Sequence, residues 1–302
     1  MLSIASKYNF NAFRHPRMIG NENFGQVFEV TSAQNRCFKY AAKDVQRDFE
    51  RFKIEEELHR EVTIAASKTS QPCHVIKFLG APEGVCLESG KRWSRIFLEL
   101  APKQTLADHI PSNGYASHIA LRTFGEILSG LLFIHSLEIV PGDIKPCNIL
   151  MDKRYKAKIA DFGLSRRQVG TTKTKAPGYT RAYAAPEVLR KVPTDGYATD
   201  SWSATMTLFV MLTGETLQQW AVLEEDEKGF LRRNLDKNPE RRVTVQELQL
   251  MIRPTPDGKK EEMEPTTSQV KRQQRKRSSP KENVDSCPIV PKKARKKQAC
   301  RK

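Results

Sequence analysis

Two aspartates set in short motifs carry most of the chemistry in this sequence. Asp143 stands in Gly142-Asp143-Ile144-Lys145-Pro146-Cys147-Asn148, ahead of the apolar run Ile149-Leu150-Met151. Asp161 opens Asp161-Phe162-Gly163, directly after Ala157-Lys158-Ile159-Ala160. One carboxylate can accept or orient a hydroxyl proton, while a second carboxylate beside a carboxamide can hold a metal ion on a nucleotide. Asp143 suits the first task, and Asp161 with Asn148 suits the second. The pairing fits metal-assisted phosphoryl transfer.

Groups of this kind need a frame, and the patterns along the chain outline one. Gln26-Val27-Phe28-Glu29-Val30 is rich in strand formers and predicts a hairpin opening over Gly20 to Val30. Cys37 to Lys43 predicts another strand, as do Val75 to Leu79 and Arg95 to Leu100, the last ended by Ala101-Pro102. Phe49 to Ala66 carries apolar residues at Phe52, Ile54, Leu58, Val62 and Ala65, a helical spacing. Leu121 to Ile139 repeats that spacing more strongly, and helices are expected again from Ala198 to Leu212. Strands first and helices later imply an α+β chain with a small β-rich lobe and a larger α-helical lobe.

At these residues the chain resembles a eukaryotic protein kinase, with a Ser/Thr pattern in Lys145 two positions after Asp143. The resemblance implies a bilobal domain over residues 13–253 after an extension at 1–12. It divides into an N-lobe of about 13–98, a hinge at 99–102 and a C-lobe at 103–253. It implies ATP and Mg²⁺ as cofactors and protein substrates with Ser or Thr acceptors. Asp143 would orient the acceptor hydroxyl, Lys145 would neutralise the transferred phosphate, and Asn148 and Asp161 would bind metal. Gly20-Asn21-Glu22-Asn23-Phe24-Gly25-Gln26-Val27 is similar to the glycine-rich loop, where backbone amides approach phosphate. Ile19, Gly20, Gly25, Val27, Ala41 and Leu150 are thereby expected at the nucleotide. Lys43 would pair the phosphates and would itself be fixed by Glu61 rather than by the triplet Glu55-Glu56-Glu57, read as a solvated acidic face. Backbone groups of Glu99 and Ala101 would hydrogen-bond adenine, with Leu98 behind them.

The resemblance extends downstream. Ala185-Pro186-Glu187 is similar to the motif that closes the activation segment, with Thr180 placed to touch the catalytic loop and Thr171, Thr172 and Thr174 as candidate phosphosites. Glu187 is expected to pair with Arg242, and Asp200 to anchor the catalytic loop. Departures also exist. Glu22 replaces the middle glycine, and Pro141-Gly142-Asp143 replaces the usual His-Arg-Asp. Losing the arginine removes the customary partner of an activation-loop phosphate, and Pro141 must fill the packing space of the histidine under Phe162. These departures favour the alternative of a pseudokinase scaffold, which the intact set Lys43, Glu61, Asp143, Asn148 and Asp161 opposes.

The 302 residues carry a net charge of +16, and residues 255–302 hold +9 of it. Beyond Arg253-Pro254 apolar residues nearly vanish, so burial cannot offset chain entropy and disorder is expected. Lys271 to Arg277 and Pro291 to Lys297 form two basic clusters that resemble nuclear localisation signals. They suggest the nuclear import machinery as a partner and the nucleus as location, with the cytoplasm as alternative. Non-specific nucleic-acid contact is a further option, without base stacking, since no aromatic residue follows Phe230. Six scattered cysteines predict reduced thiols and no zinc, and no apolar run promises a membrane span, so no membrane partner is expected.

Overall fold

Alternation of β-branched and aromatic residues early in the chain closes into one sheet. The computed structural model describes residues 13–22, 25–32, 38–45, 49–85, 92–214 and 223–252. The extension at 1–12 and the tail at 254–302 lie outside these residues. Strands β1 (Phe13–Glu22), β2 (Gly25–Ser32) and β3 (Lys39–Val45) form an antiparallel meander. Strand β6 (Arg92–Glu99) lies against β3, and both β4 (Phe78–Gly80) and β5 (Glu83–Val85) pair with β6. The register sets Lys43 opposite Val27 and Ile96, and Ala41 opposite Leu98. Helix α1 (Phe49–Ala66) packs on this sheet through Phe52, which joins Ala41, Ile76, Phe78, Ile96 and Leu98 in one core.

The second lobe is built on helices. Helix α2 (Ser117–His135) buries Phe124, Ile127, Leu128, Leu131 and Ile134 in the larger core. It is also long and apolar enough to cross a membrane, more than the sequence reading anticipated. Its buried residues identify it as the central helix of the lobe. It starts before Leu121 and stops at His135, because a short strand β7 (Ile139–Val140) takes the remainder of the predicted helix. Helix α4 (Gly196–Thr213) begins at Asp195, whose side chain accepts from the Tyr197 amide, and ends at Gly214 with φ 75°. The left-handed terminus there suits glycine. Helices α3 (Pro186–Leu189), α5 (Glu225–Asn234) and α6 (Val245–Met251) complete the lobe, with Thr244 and Glu247 forming a capping box on α6. Between the lobes run β8 (Ile149–Met151), β9 (Ala157–Ile159) and β10 (Arg166–Arg167), which pairs with β7. Of the predicted strand Val75 to Leu79, Phe78 and Leu79 fall in β4, while Val75 bridges Ile159.

Candidate active site

Asp143 sits in a loop whose geometry is set from below. Gly142 adopts φ 79°, and its amide donates to Asp200 Oδ1 at 3.0 Å from α4. Asp200 is almost wholly buried, and its other oxygen faces His135 Nε2 at 2.9 Å, so α2 and α4 hold the loop together. Asp143 is then saturated by neighbours. Lys145 Nζ donates to its Oδ2 at 2.7 Å, Asn148 Nδ2 to the same oxygen at 3.0 Å, and the Thr180 hydroxyl to Oδ1 at 2.6 Å. Lys145 also donates to Thr180 Oγ1 at 2.8 Å. Every member of this net is buried, where an unpaired charge would be costly. The expected contact of Thr180 with the catalytic loop is present, as is the Asp200 anchor.

The second carboxylate is placed by the strand beside it. The Ala160 amide donates to the Asn148 carbonyl at 2.8 Å, which sets Asp161 next to the Asp143 net. Asp161 takes φ 63°, a strained value for a non-glycine residue, and its Oδ1 accepts from Gly163 N at 3.1 Å and from Lys43 Nζ at 2.6 Å. Phe162 is fully buried and stacks on the His59 ring, with centroids 4.2 Å apart. His59 faces the Ile76 carbonyl through Nε2 at 2.7 Å. Burial, foremost, pushes its pKa down to about 4, with Lys43 acting in the same direction.

Lys43 pairs with Glu55 at 3.0 Å, which corrects the expected partner Glu61. Glu61 instead forms an exposed pair with Arg167. The cause is helical phase. At about 100° per residue, Glu55 shares the inward face of α1 with Phe52, His59 and Val62, whereas Glu61 lies about 120° away from it. Glu55 and Glu56 are buried, so the solvated acidic face is also corrected for these two, while Glu57 is exposed. Spacing with Phe52 and Val62 was the available signal for Glu55 and for His59, neither of which the sequence reading placed in the site.

Above Asp161 opens a cavity of about 550 Å³. Ile19, Gly20, Val27, Ala41 and Leu150 line it, with Leu98 at its back. Lys43, Glu55, His59, Asn148 and Asp161 contribute its polar side, and Glu99 and Ala101 its hinge edge. The Glu99 carboxylate is fixed there by the Lys77 amide at 3.0 Å and Lys158 Nζ at 2.6 Å. Gly25 pairs with Glu22 at the hairpin. The side chain of Glu22 and the loop tip lie outside the described residues. Asp143 borders a separate small hollow with Tyr179, Thr180 and Tyr183. Cys73 is free, but Cys147 stands in a disulfide, against the expectation of reduced thiols.

Three further sets of contacts matter for the activation segment. Glu187 and Arg242 form the expected buried pair, with oxygen–nitrogen distances of 2.8 and 3.1 Å. Arg166 occupies the ground beside Gly142, donating from Nε to Thr174 Oγ1 at 2.9 Å. Arg51 of α1 grips the start of the segment through the Gly163 and Ser165 carbonyls at 2.9 and 2.7 Å.

Comparison with known proteins agrees with this geometry. The chain matches the protein kinase domain family over residues 13–228. It is 31% identical over 249 residues to the serine/threonine-protein kinase chk-1 of Caenorhabditis briggsae, covering 80% of this chain and 49% of that protein. It is 38% identical over 120 residues to the serine/threonine-protein kinase GIN4 of Saccharomyces cerevisiae, covering 39% of this chain and 10% of that protein. A sperm motility kinase 3A of Mus musculus is 36% identical over 121 residues, or 40% of this chain and 24% of its own. The chain thus spans half or less of the length of these relatives. With its two-lobed fold and its ordered set of motifs, the chain belongs to the protein kinase family.

Proposed function

We propose that the chain is an ATP-dependent protein serine/threonine kinase. The observation that carries this reading is the convergence of Lys43, Asn148 and Asp161 on one cavity, with Asn148 also bonded to Asp143. The donor set fits the expected metal. Asn148 spends its amide nitrogen on Asp143, which leaves its oxygen, with the Asp161 carboxylate, as hard oxygen donors of the kind Mg²⁺ takes. Among the described residues no cluster of three His, Cys, Asp or Glu could hold a metal alone. Asn148 and Asp161 would hold Mg²⁺, and its charge would offset that of the phosphates.

The chain's own residues then divide the work. The apolar walls Val27, Ala41 and Leu150 take an adenine ring, and Lys43, held between Glu55 and Asp161, is aimed at phosphate. Asp143 orients the acceptor hydroxyl and receives its proton at a carboxylate oxygen. Lys145 stands beside it to offset charge on the transferred group. Most of the rate gain in such a site comes from positioning and fixed charge. The two basic clusters of the tail support nuclear import and a nuclear location as part of this proposal. The relatives' names support Ser/Thr rather than other acceptors.

The test is phosphate transfer from Mg²⁺-ATP to general Ser/Thr substrates by the native chain and by Asp143→Ala. Transfer by the first alone is expected. Equal background from both folded proteins would transfer the proposal to a nucleotide-binding scaffold.

A further inference from the structure

The stretch from Leu164 to Thr194 contains seven basic residues and one acid, Glu187. Three of the seven are already engaged. Arg166 is buried against Thr174, Arg167 pairs with Glu61, and Lys173 lies 3.9 Å from Glu240. Lys175, Arg181, Arg190 and Lys191 are exposed and carry no ion pair among the described residues. Glu187 is buried and both its oxygens are taken by Arg242. The exposed charge of the whole stretch therefore has one sign.

Its position ties it to the acceptor side of the site. Arg181 follows Thr180, the residue bonded to Asp143, and its carbonyl accepts from the Ala184 amide in the same turn. Lys175 precedes Ala176, which borders the hollow shared with Asp143. Arg190 and Lys191 close the turn after α3, their amides donating to Pro186 and Val188, and Val188 borders that hollow too. All four cations thus stand within three residues, along the chain, of one that borders the hollow beside Asp143. The tail of this chain is a poor occupant, because it carries +9 itself.

We propose that this surface selects acceptor segments in which the Ser or Thr is flanked by Asp or Glu. The inference rests on the kinase reading for its purpose, but not for its measurement. Two or three surface ion pairs, each worth a few-fold, give roughly a tenfold preference at low salt that fades as salt rises.

The experiment uses the full chain and labelled single-serine peptides flanked by Asp/Glu or by Lys/Arg, with binding followed by fluorescence anisotropy. The acidic peptide is expected to bind about tenfold tighter. The triple variant Arg181→Glu, Arg190→Glu, Lys191→Glu should erase or invert that order, with folding checked by thermal melting. If the triple variant fails to fold, Arg181→Glu alone should still reduce the preference about threefold. Equal or tighter binding of the basic peptide would overturn the proposal. So would a preference that survives the reversal, which would place it in the basic tail. A duplex oligonucleotide that binds more tightly than the acidic peptide, and is released by the same reversal, would reassign the surface to nucleic acid. Selective binding without phosphate transfer would sink the kinase reading and leave the acid-selective surface standing.

Discussion

Lys43 is 3% exposed, and an ammonium so placed persists only if it is paired. Its partners include Glu55 from α1 and Asp161 from the metal side, so it joins the lobes through charge. Glu55→Ala is expected to cost about 3 kcal/mol of stability, the scale for breaking a buried pair. Turnover should fall roughly a hundredfold as Lys43 loses its aim. Glu61→Ala should stay within about 1 kcal/mol of the native protein, because its pair with Arg167 is half-exposed. Denaturant unfolding and steady-state transfer assays on the two variants decide between them. His59 gives a pH signature at the same scale. The unfolded chain takes up its proton near pH 6.5, whereas the folded chain does so only near 4. Stability should therefore be unaffected above 6.5 and should fall as pH drops from 6.5 towards 4, by about 3 kcal/mol in all. His59→Gln, which keeps a donor for Ile76, should flatten that slope in unfolding curves recorded at pH 4.5 and 7. The metal and base residues were legible in the sequence because they sit in one tight loop or one motif, where spacing fixes geometry. Glu55 was hidden because three successive glutamates differ only in helical phase, and phase depends on which face α1 buries.

At the scale of elements, the catalytic loop and the activation segment trade places for one cation. A Cβ on Gly142 would meet the Leu164 carbonyl at 3.0 Å and Arg166 Nη1 at 3.3 Å, and its φ of 79° is strained for any side chain. Arg166 thus stands where a larger residue at 142 would intrude, and it fastens the segment through the neutral hydroxyl of Thr174. Thr174 and Thr194 also exchange backbone hydrogen bonds at 3.0 and 2.9 Å. Restoring an arginine by Gly142→Arg is expected to lower stability by about 1–3 kcal/mol rather than improve the enzyme. Thermal melting alongside transfer assays checks this, and a gain in both would refute it. The same contact bears on the expectation that losing the usual arginine removes the customary partner of an activation-loop phosphate, because Arg166 places a cation beside Thr174 from β10. That exchange could not be read from sequence, since it depends on β10 pairing with β7. Elements with long periodic runs, α1, α2 and α4, were legible. Their ends were less so, because capping and the two-residue strand β7 leave little periodic signal.

Across the whole molecule, the described fold is a kinase-family domain whose buried apolar residues extend as far as Leu248 in α6. The sequence beyond it offers charge rather than core. Of the +16 on the chain, +9 belongs to residues 255–302, and ten of those basic residues stand in the clusters Lys271 to Arg277 and Pro291 to Lys297. If the clusters serve as an address, they should be separable from catalysis. Replacing Lys292, Lys293, Arg295, Lys296 and Lys297 by glutamine removes five positive charges without touching the residues around Asp143 or Asp161. Melting temperature should stay within about 2 °C, since surface substitutions away from a core shift stability by about half a kcal/mol. Turnover on a peptide substrate should also be unchanged, while a fluorescent fusion should move from nucleus to cytoplasm. Replacing Lys271, Arg272, Arg275, Lys276 and Arg277 as well should complete the shift if the two clusters act together. A fusion that remains nuclear with both clusters neutralised would remove import from the tail's role. A fall in turnover with location unchanged would instead make the tail part of the catalytic body. The distinction follows from physics of different range, because burial and hydrogen bonding act within the fold, whereas a solvated basic run acts only on what it meets.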